Sequence, residues 1–258
     1  MKLAICAIFR NEARYLREWL EFHRLVGIER FYLYNNRSSD DYMPVLRPYL
    51  ASGVVVLNEW PFQPPCQVEA YQHYIDAHLD VSGWTAFIDI DEFLWSPRYP
   101  AVTEALDTFP QEWRAIGVNW VCFGSGGEQQ WEDIPVIERF TWRASAGISS
   151  NHYVKPVVRM GQYFTIHDPH FADVPTFTPS GRQNPGPHSV PHEHTILRIN
   201  HYGTKSRQEW VERQRLGKPC AASAPSPRQC YDEVQGCEVE DCAIQRYLSA
   251  LQAKLATP

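Results

Sequence analysis

Two carboxylates, Asp89 and Asp91, stand i, i+2 in the run Ala86-Phe87-Ile88-Asp89-Ile90-Asp91-Glu92-Phe93. Side chains alternate along a strand, so both acids would project to one side while Ile88 and Ile90 point to the other. At the C-terminal end of a parallel strand, that side opens onto the crevice where α/β proteins bind ligands. Two hard oxygen donors there suit Mg²⁺ or Mn²⁺, which in turn neutralises a diphosphate. The plain alternative is a pair of solvated acids at a strand exit, so the elements around them must carry the case.

Those elements alternate through the first half of the chain. Leu3 to Phe9 reads as an apolar strand that stops at Arg10-Asn11-Glu12. Asn11 then caps a helix with Tyr15, Trp19, Phe22 and Val26 at helical spacing and Gly27 as terminator. Phe31–Tyr34 and Val54–Leu57 read as strands, Gln67–Leu79 as a helix, and Thr85–Ile90 as the strand that delivers the acids. The alternation implies a mostly parallel sheet with right-handed crossovers. Beyond residue 100 a helix-like stretch (Val102–Phe109) precedes strands at Ala115–Phe123, Lys155–Met160 and Thr195–Tyr202. Residues 168–193, rich in Pro, Gly, Ser and His, read as a long loop of the kind that forms lids. Ser206-Arg207-Gln208-Glu209 is a capping box opening a helix to Leu216. A linker (219–230) leads to a last helix with Ile244, Leu248, Leu251 and Leu255 on one face.

Composition narrows the function classes. The 258 residues can bury a full-sized core. A net charge of −6 without a basic tract excludes duplex nucleic acid as the expected partner. No stretch reads as a membrane span, although contact with a membrane surface stays open. Met1 to Cys6 leads straight into a strand pattern and makes a poor signal peptide, and the seven cysteines are an odd number. A cytoplasmic protein is the expectation. His192-Glu193-His194 hints at zinc but lacks a second half, and Cys220, Cys230, Cys237 and Cys242 have no paired C-x-x-C spacing.

Five segments in order carry a resemblance. They are Ile8-Phe9-Arg10-Asn11-Glu12 with Trp19-Leu20-Glu21-Phe22-His23, Tyr34-Asn35-Asn36-Arg37-Ser38-Ser39-Asp40-Asp41, and Ile88-Asp89-Ile90-Asp91-Glu92-Phe93. Phe123-Gly124-Ser125-Gly126-Gly127 and Asn200-His201-Tyr202-Gly203-Thr204-Lys205-Ser206 complete the set. Together, over roughly residues 1–218, they resemble GT-A glycosyltransferases of family 92 (DUF23) and the related family 2 group. The resemblance implies a GT-A fold at 1–218, followed by a linker and C-terminal helix at 219–258. It also implies transfer of a sugar from a nucleotide diphosphate, UDP first, to a glycan or other hydroxyl acceptor.

Each step of that reaction then finds candidates. By resemblance, Phe9, Arg10, Asn11 and Glu12 line the nucleotide pocket. Asn35 or Asp40 can accept the imide N–H of a uracil, Asp40 having a turn-forming role as its alternative, and Gln67 and Tyr71 edge the same pocket. Asp91 is the direct metal ligand, Asp89 reaches ribose and metal, and His201 is the third ligand, a borderline donor that Mn²⁺ tolerates. Lys205 and the helix N-terminus after it face the charge on the leaving diphosphate. An inverting transfer needs a carboxylate base, read at Glu128, which stands where family 92 usually has His; Asp168 and Asp241 are its rivals. Two other readings remain: a non-catalytic nucleotide-sugar or glycan binder, and a haloacid-dehalogenase-type phosphatase, which would want Thr or Val where Phe93 stands.

Overall fold

Side-chain alternation along the first strand explains how the molecule is layered. In the computed structural model, which describes residues 1–216 and 238–257, β1 (Leu3–Phe9) is buried along its whole length. Leu3, Ile5, Ala7 and Phe9 enter one core cluster, and Ala4, Cys6 and Ile8 enter a second on the opposite face. A strand buried on both faces is what a helix-covered parallel sheet requires. α1 (Ala13–Leu25) contributes Leu16, Trp19, Leu20 and Phe22 to the first cluster, and α3 (Gln67–Ala77) contributes Ala70, Tyr71, Tyr74 and Ile75 to the second.

β2 (Arg30–Asn35), α2 (Tyr42–Ala51), β3 (Val55–Glu59) and β4 (Trp84–Phe87) complete the alternating half. After them come β5 (Glu92–Trp95), α4 (Val102–Leu106), β6 (Ala115–Cys122), α5 (Val136–Arg139), β7 (Trp142–Arg143) and β8 (Val154–Arg159). Three short strands, β9 (Ile166–Asp168), β10 (Phe171–Ala172) and β11 (Thr176–Phe177), precede β12 (Arg198–His201) and α6 (Arg207–Leu216). β13 (Val239–Glu240), a 3-10 turn (Ala243–Tyr247) and α7 (Leu248–Leu255) follow. Among the described residues, nine strands form one sheet in the order β3-β2-β1-β4-β8-β6-β12-β5, with β11 beside β6. β3, β2, β1 and β4 run parallel, and β8 runs against β4 and β6. β12 is parallel to β6 and antiparallel to β5. This mixed, mostly parallel sheet flanked by helices is the GT-A class that the resemblance implies.

Three expectations change. The strand before the acids stops at Phe87, and Asp89 to Glu92 form a turn closed by Glu92 N–H on the Asp89 carbonyl (3.1 Å). Asn11 does not cap α1. Its φ of 56° turns its side chain toward residues 38–40, and its Oδ1 accepts the Ser39 N–H (2.7 Å). Asp40 supplies the missing cap from across the loop, its Oδ2 accepting the Ala13 N–H at 2.8 Å. Residues 168–193 are stitched rather than structureless: Arg182 reaches the Ser189 hydroxyl (3.0 Å) and the Val190 and Pro191 carbonyls, and Glu193 accepts the Ser180 hydroxyl (2.7 Å). The C-terminal helix forms as read: Leu251 of α7, with Ile244 in the turn before it, belongs to the same core cluster as α1. Cys220, Cys230, Cys237 and the linker at 219–230 lie outside the described residues.

Candidate active site

The site is assembled by the register between β5 and β12. Glu92 and His201 are cross-strand partners, and the Tyr202 N–H holds the Asp91 carbonyl at 2.8 Å. α1 fixes the same strand from the other side: Trp19 Nε1 donates to the Glu92 carbonyl (2.9 Å), and His23 Nε2 accepts the Leu94 N–H (3.1 Å). The Trp19–His23 segment therefore positions the acids without approaching any ligand.

Asp91, Glu92 and His201 each offer a donor atom within 4.8 Å of the others, and they are the set of three or more metal-ligating types so grouped among the described residues. Asp91 and Glu92 are buried; Asp91 Oδ2 meets Arg213 Nη1 at 2.5 Å, and Glu92 Oε1 lies 3.6 Å from Lys155 Nζ. Two buried carboxylates grouped with an imidazole are a donor set that fits a divalent ion of the Mn²⁺ or Mg²⁺ type. His201 Nε2 lies 3.5 Å from Asp91 Oδ2, and its ring stacks on Trp120 with centroids 4.1 Å apart. Gly203 makes room for it, since a Cβ there would stand 2.9 Å from His201 Cε1 and Nε2.

Asp89 looks elsewhere. Its Oδ1 accepts from Gln67 Nε2 (2.6 Å) and the Tyr71 hydroxyl (3.3 Å), and its Oδ2 accepts from Lys155 Nζ (3.0 Å). Lys155 is wholly buried on β8 and also stands 3.6 Å from Glu92 Oε1. Burial opposes the Lys155 charge, but Asp89 and Glu92 raise its pKa above the ordinary lysine value. Burial likewise works against ionised Asp89, and Lys155 holds its carboxyl below the usual range. For Glu92 burial wins, with Asp89 and Asp91 adding to it against Lys155, and the carboxyl is pushed well up. Asp91 keeps its charge: burial is overcome by Arg213 and then His201, which hold its pKa well down.

Beside this group lies an open cleft lined among others by Arg10, Asn11, Glu12, Gly203, Lys205 and Arg213. Lys205, at φ 54°, sets its ammonium 4.1 Å from the Tyr15 ring centroid. Burial lowers its pKa, with Glu12 opposing. The capping box forms as read, Ser206 N–H donating to Glu209 Oε2 at 3.1 Å. The first amides of α6 are nevertheless all occupied. Arg207 N–H donates to the Glu128 carbonyl and Gln208 N–H to the Gln129 carbonyl, both at 3.1 Å; Glu209 N–H donates to Ser206 Oγ at 3.4 Å. The helix end has no N–H left for a diphosphate, so the cleft's charge lies in side chains, the basic Arg10, Arg14, Lys205 and Arg213 beside the acidic Glu12, Glu209 and Glu212.

The remaining candidates separate. Arg10, Asn11, Glu12 and Lys205 reach the cleft. Phe9 does not: its ring is buried against Tyr42 (5.5 Å). Asn35 spends its amide on Tyr42 (2.9 Å) and Glu59 (2.8 Å), and its Oδ1 accepts the Ser38 N–H (3.0 Å). Asp40 caps α1, and Gln67 and Tyr71 hold Asp89 rather than edge the cleft. Glu128 is not among the cleft residues; its carboxylate, 43% exposed, pairs with Arg139 at 3.9 Å. His192 and His194 stack on each other at 4.6 Å instead of converging on a point. Sequence reasoning missed Lys155, Glu92 as a donor, and Arg213. A lone lysine inside the apolar run Val154–Arg159 was a usable signal for the first; the helix bearing Arg213 is charged on every side and gave none.

Comparison with known proteins agrees with the five-segment resemblance. The family model described as glycosyltransferase family 92 matches residues 2–218. The chain belongs to glycosyltransferase family 92. A family 92 protein of Oryza sativa subsp. japonica is 29% identical over 157 residues, covering 60% of this chain and 27% of that protein. One from Ricinus communis is 32% identical over 97 residues, covering 37% of this chain and 17% of that protein. The chain thus spans about a quarter or less of the length of these relatives. Likeness to solved structures is weaker. Staphylococcus aureus TarS 1–349 in complex with UDP gives a TM-score of 0.39 at 12% identity, over 62% of this chain and 47% of that one. Mycobacterium tuberculosis glucosyl-3-phosphoglycerate synthase with Mn²⁺, UDP and glucosyl-3-phosphoglycerate gives 0.31 at 16%, over 46% and 44%. Among the described residues no helix is long and apolar enough to cross a membrane.

Proposed function

We propose that this family 92 chain is a divalent-metal-dependent glycosyltransferase that moves a sugar from a nucleotide diphosphate, UDP first, to a glycan or other hydroxyl acceptor. The supporting observation is the meeting of Asp91, Glu92 and His201 at the edge of a cleft carrying Arg10, Lys205 and Arg213. Asp91, Glu92 and His201 would hold the ion, which when bound supplies charge neutralisation for the leaving diphosphate. Asp89, fixed by Gln67, Tyr71 and Lys155 but still part-exposed, is placed to accept a hydroxyl of the donor. Lys205 stabilises developing phosphate charge from a buried, preorganised position.

For the base of an inverting transfer we keep Glu128. Asp241 is tied to Arg143 (2.8 Å) and Arg198 (3.1 Å), and Asp168 accepts the His170 N–H (2.8 Å). The Glu128 side chain, with one ion pair at 3.9 Å, is more open than that of Asp241.

The test is calorimetric. UDP should bind in Mn²⁺ and lose about tenfold or more of its affinity in EDTA, and Asp91→Asn should remove the difference. Equal UDP affinity in both buffers rejects the metal; binding of GDP in preference to UDP rejects only the nucleotide. A thermal-shift screen of nucleotide sugars with Mn²⁺ then identifies the donor.

A further inference from the structure

Arg213 makes two contacts that bear on how the cation site fills. Its Nη1 donates to the Gly203 carbonyl (3.0 Å) and lies 2.5 Å from Asp91 Oδ2. That oxygen is the one His201 Nε2 faces at 3.5 Å. The guanidinium therefore occupies the side of Asp91 that a shared ligand with His201 must present to an ion. A divalent ion on that oxygen would stand about 2 Å from it, and two cations so close to one lone-pair region repel strongly in a buried setting. Arg213 also lines the open cleft beside Lys205 and Arg10, and its planar fork matches phosphate oxygens as well as carboxylate. Lys155, the other cation against the acids, is wholly buried and engaged with Asp89 and Glu92, so it is not the group that moves.

We propose that Arg213 is an internal occupant of the cation site: it rests on Asp91 while the ion is absent, and passes to the donor's diphosphate when ion and donor enter. The proposal rests on the metal-dependent donor reading given above. In this exchange the ion takes over neutralisation of Asp91 and Glu92, and the diphosphate receives the displaced guanidinium. Neither charge is left bare. An ion arriving alone must displace Arg213 with no anion to receive it, and so binds weakly.

The experiment uses the full chain and Mn²⁺ followed by electron paramagnetic resonance, with no turnover required. Arg213→Gln is expected to bind Mn²⁺ alone about tenfold more tightly than the native protein, and to bind UDP in saturating Mn²⁺ about tenfold more weakly. Arg10→Gln removes a positive charge from the same cleft without touching Asp91, and should leave Mn²⁺ binding within about threefold of native. If melting curves show that Arg213→Gln does not hold its fold, Arg213→Lys carries the test. It keeps the charge but shortens the reach and loses the fork, and it must still bind Mn²⁺ more tightly than the native protein. Equal Mn²⁺ affinity in native and variant protein, or equal tightening in Arg10→Gln, overturns the exchange and leaves metal-dependent donor binding standing. Failure of every form to bind Mn²⁺ with UDP present removes that reading, and the exchange with it.

Discussion

Gly203→Ala tests whether His201 is held where an ion needs it. An alanine Cβ at this position would lie 2.9 Å from both Cε1 and Nε2 of the ring. Ordinary carbon contacts begin near 3.5 Å, so the imidazole must retreat by roughly half an ångström. It has little room, being stacked at 4.1 Å on Trp120 with Cys122 Sγ 3.9 Å from Nδ1. The backbone is no obstacle, because Gly203 is absent from the positive-φ glycines. A displacement of that size exceeds what a preorganised ligand shell tolerates, and disturbing a ligand's orientation costs about 10- to 100-fold in metal affinity. Gly147→Ala is the control, since a Cβ there meets nothing within 4 Å. Mn²⁺ titration with UDP present, followed by transfer kinetics at saturating Mn²⁺, reads the effect. Mn²⁺ affinity within about twofold of native would refute the reasoning and detach His201 from the ion.

Three further outcomes are expected. His23 is wholly buried with its pKa lowered to about 3, burial outweighing the bond to the Trp19 carbonyl. Between there and the ordinary value of 6.5 the unfolded chain binds a proton that the folded one refuses, so stability present above pH 6.5 is lost as pH falls. From pH 7 to 5 the loss is about 2 kcal/mol, and urea titrations of native and His23→Gln protein should converge by that amount; parallel curves would remove the assignment. Lys155→Met strips the buried cation from Asp89 and Glu92 and should destabilise by about 3–5 kcal/mol in urea, a loss under about 1 kcal/mol speaking against the network. Glu128→Gln should keep UDP binding and lose transfer, with an inverted product anomer in the native reaction; near-normal turnover, or a retained anomer, takes the base role from it.

The alternating half of the fold was legible because its signals are local. β1's two-faced burial, α1's apolar stripe and Gly27 at φ 99° all follow from residues a few positions apart. Asp91 and His201 were legible as chemistry, since an acid pair and a strand-end histidine are conspicuous types. What stayed hidden depends on register and on remote partners. The strand ends at Phe87 instead of Ile90 because the turn at Asp89–Glu92 starts a new antiparallel pairing with β12. That pairing, and nothing within the motif, sets Glu92 opposite His201. Asn11 and Asp40 exchanged roles for a similar reason: each finds its partner about 28 positions away, beyond the reach of any window.

The filled N-terminus of α6 bears on how such a cleft can change over time. Anion sites made of backbone amides are nearly independent of side-chain identity, so point substitutions leave them largely as they were. Here the positive charge resides in Arg10, Arg14, Lys205 and Arg213, four side chains that single codons can exchange, while the amides beneath are committed to Glu209, Glu128, Gln129 and Ser206. Charge in the cleft can therefore drift without disturbing the helix that carries much of it. Substitutions at these positions would change the charge of the cleft while keeping the same stitched helix start.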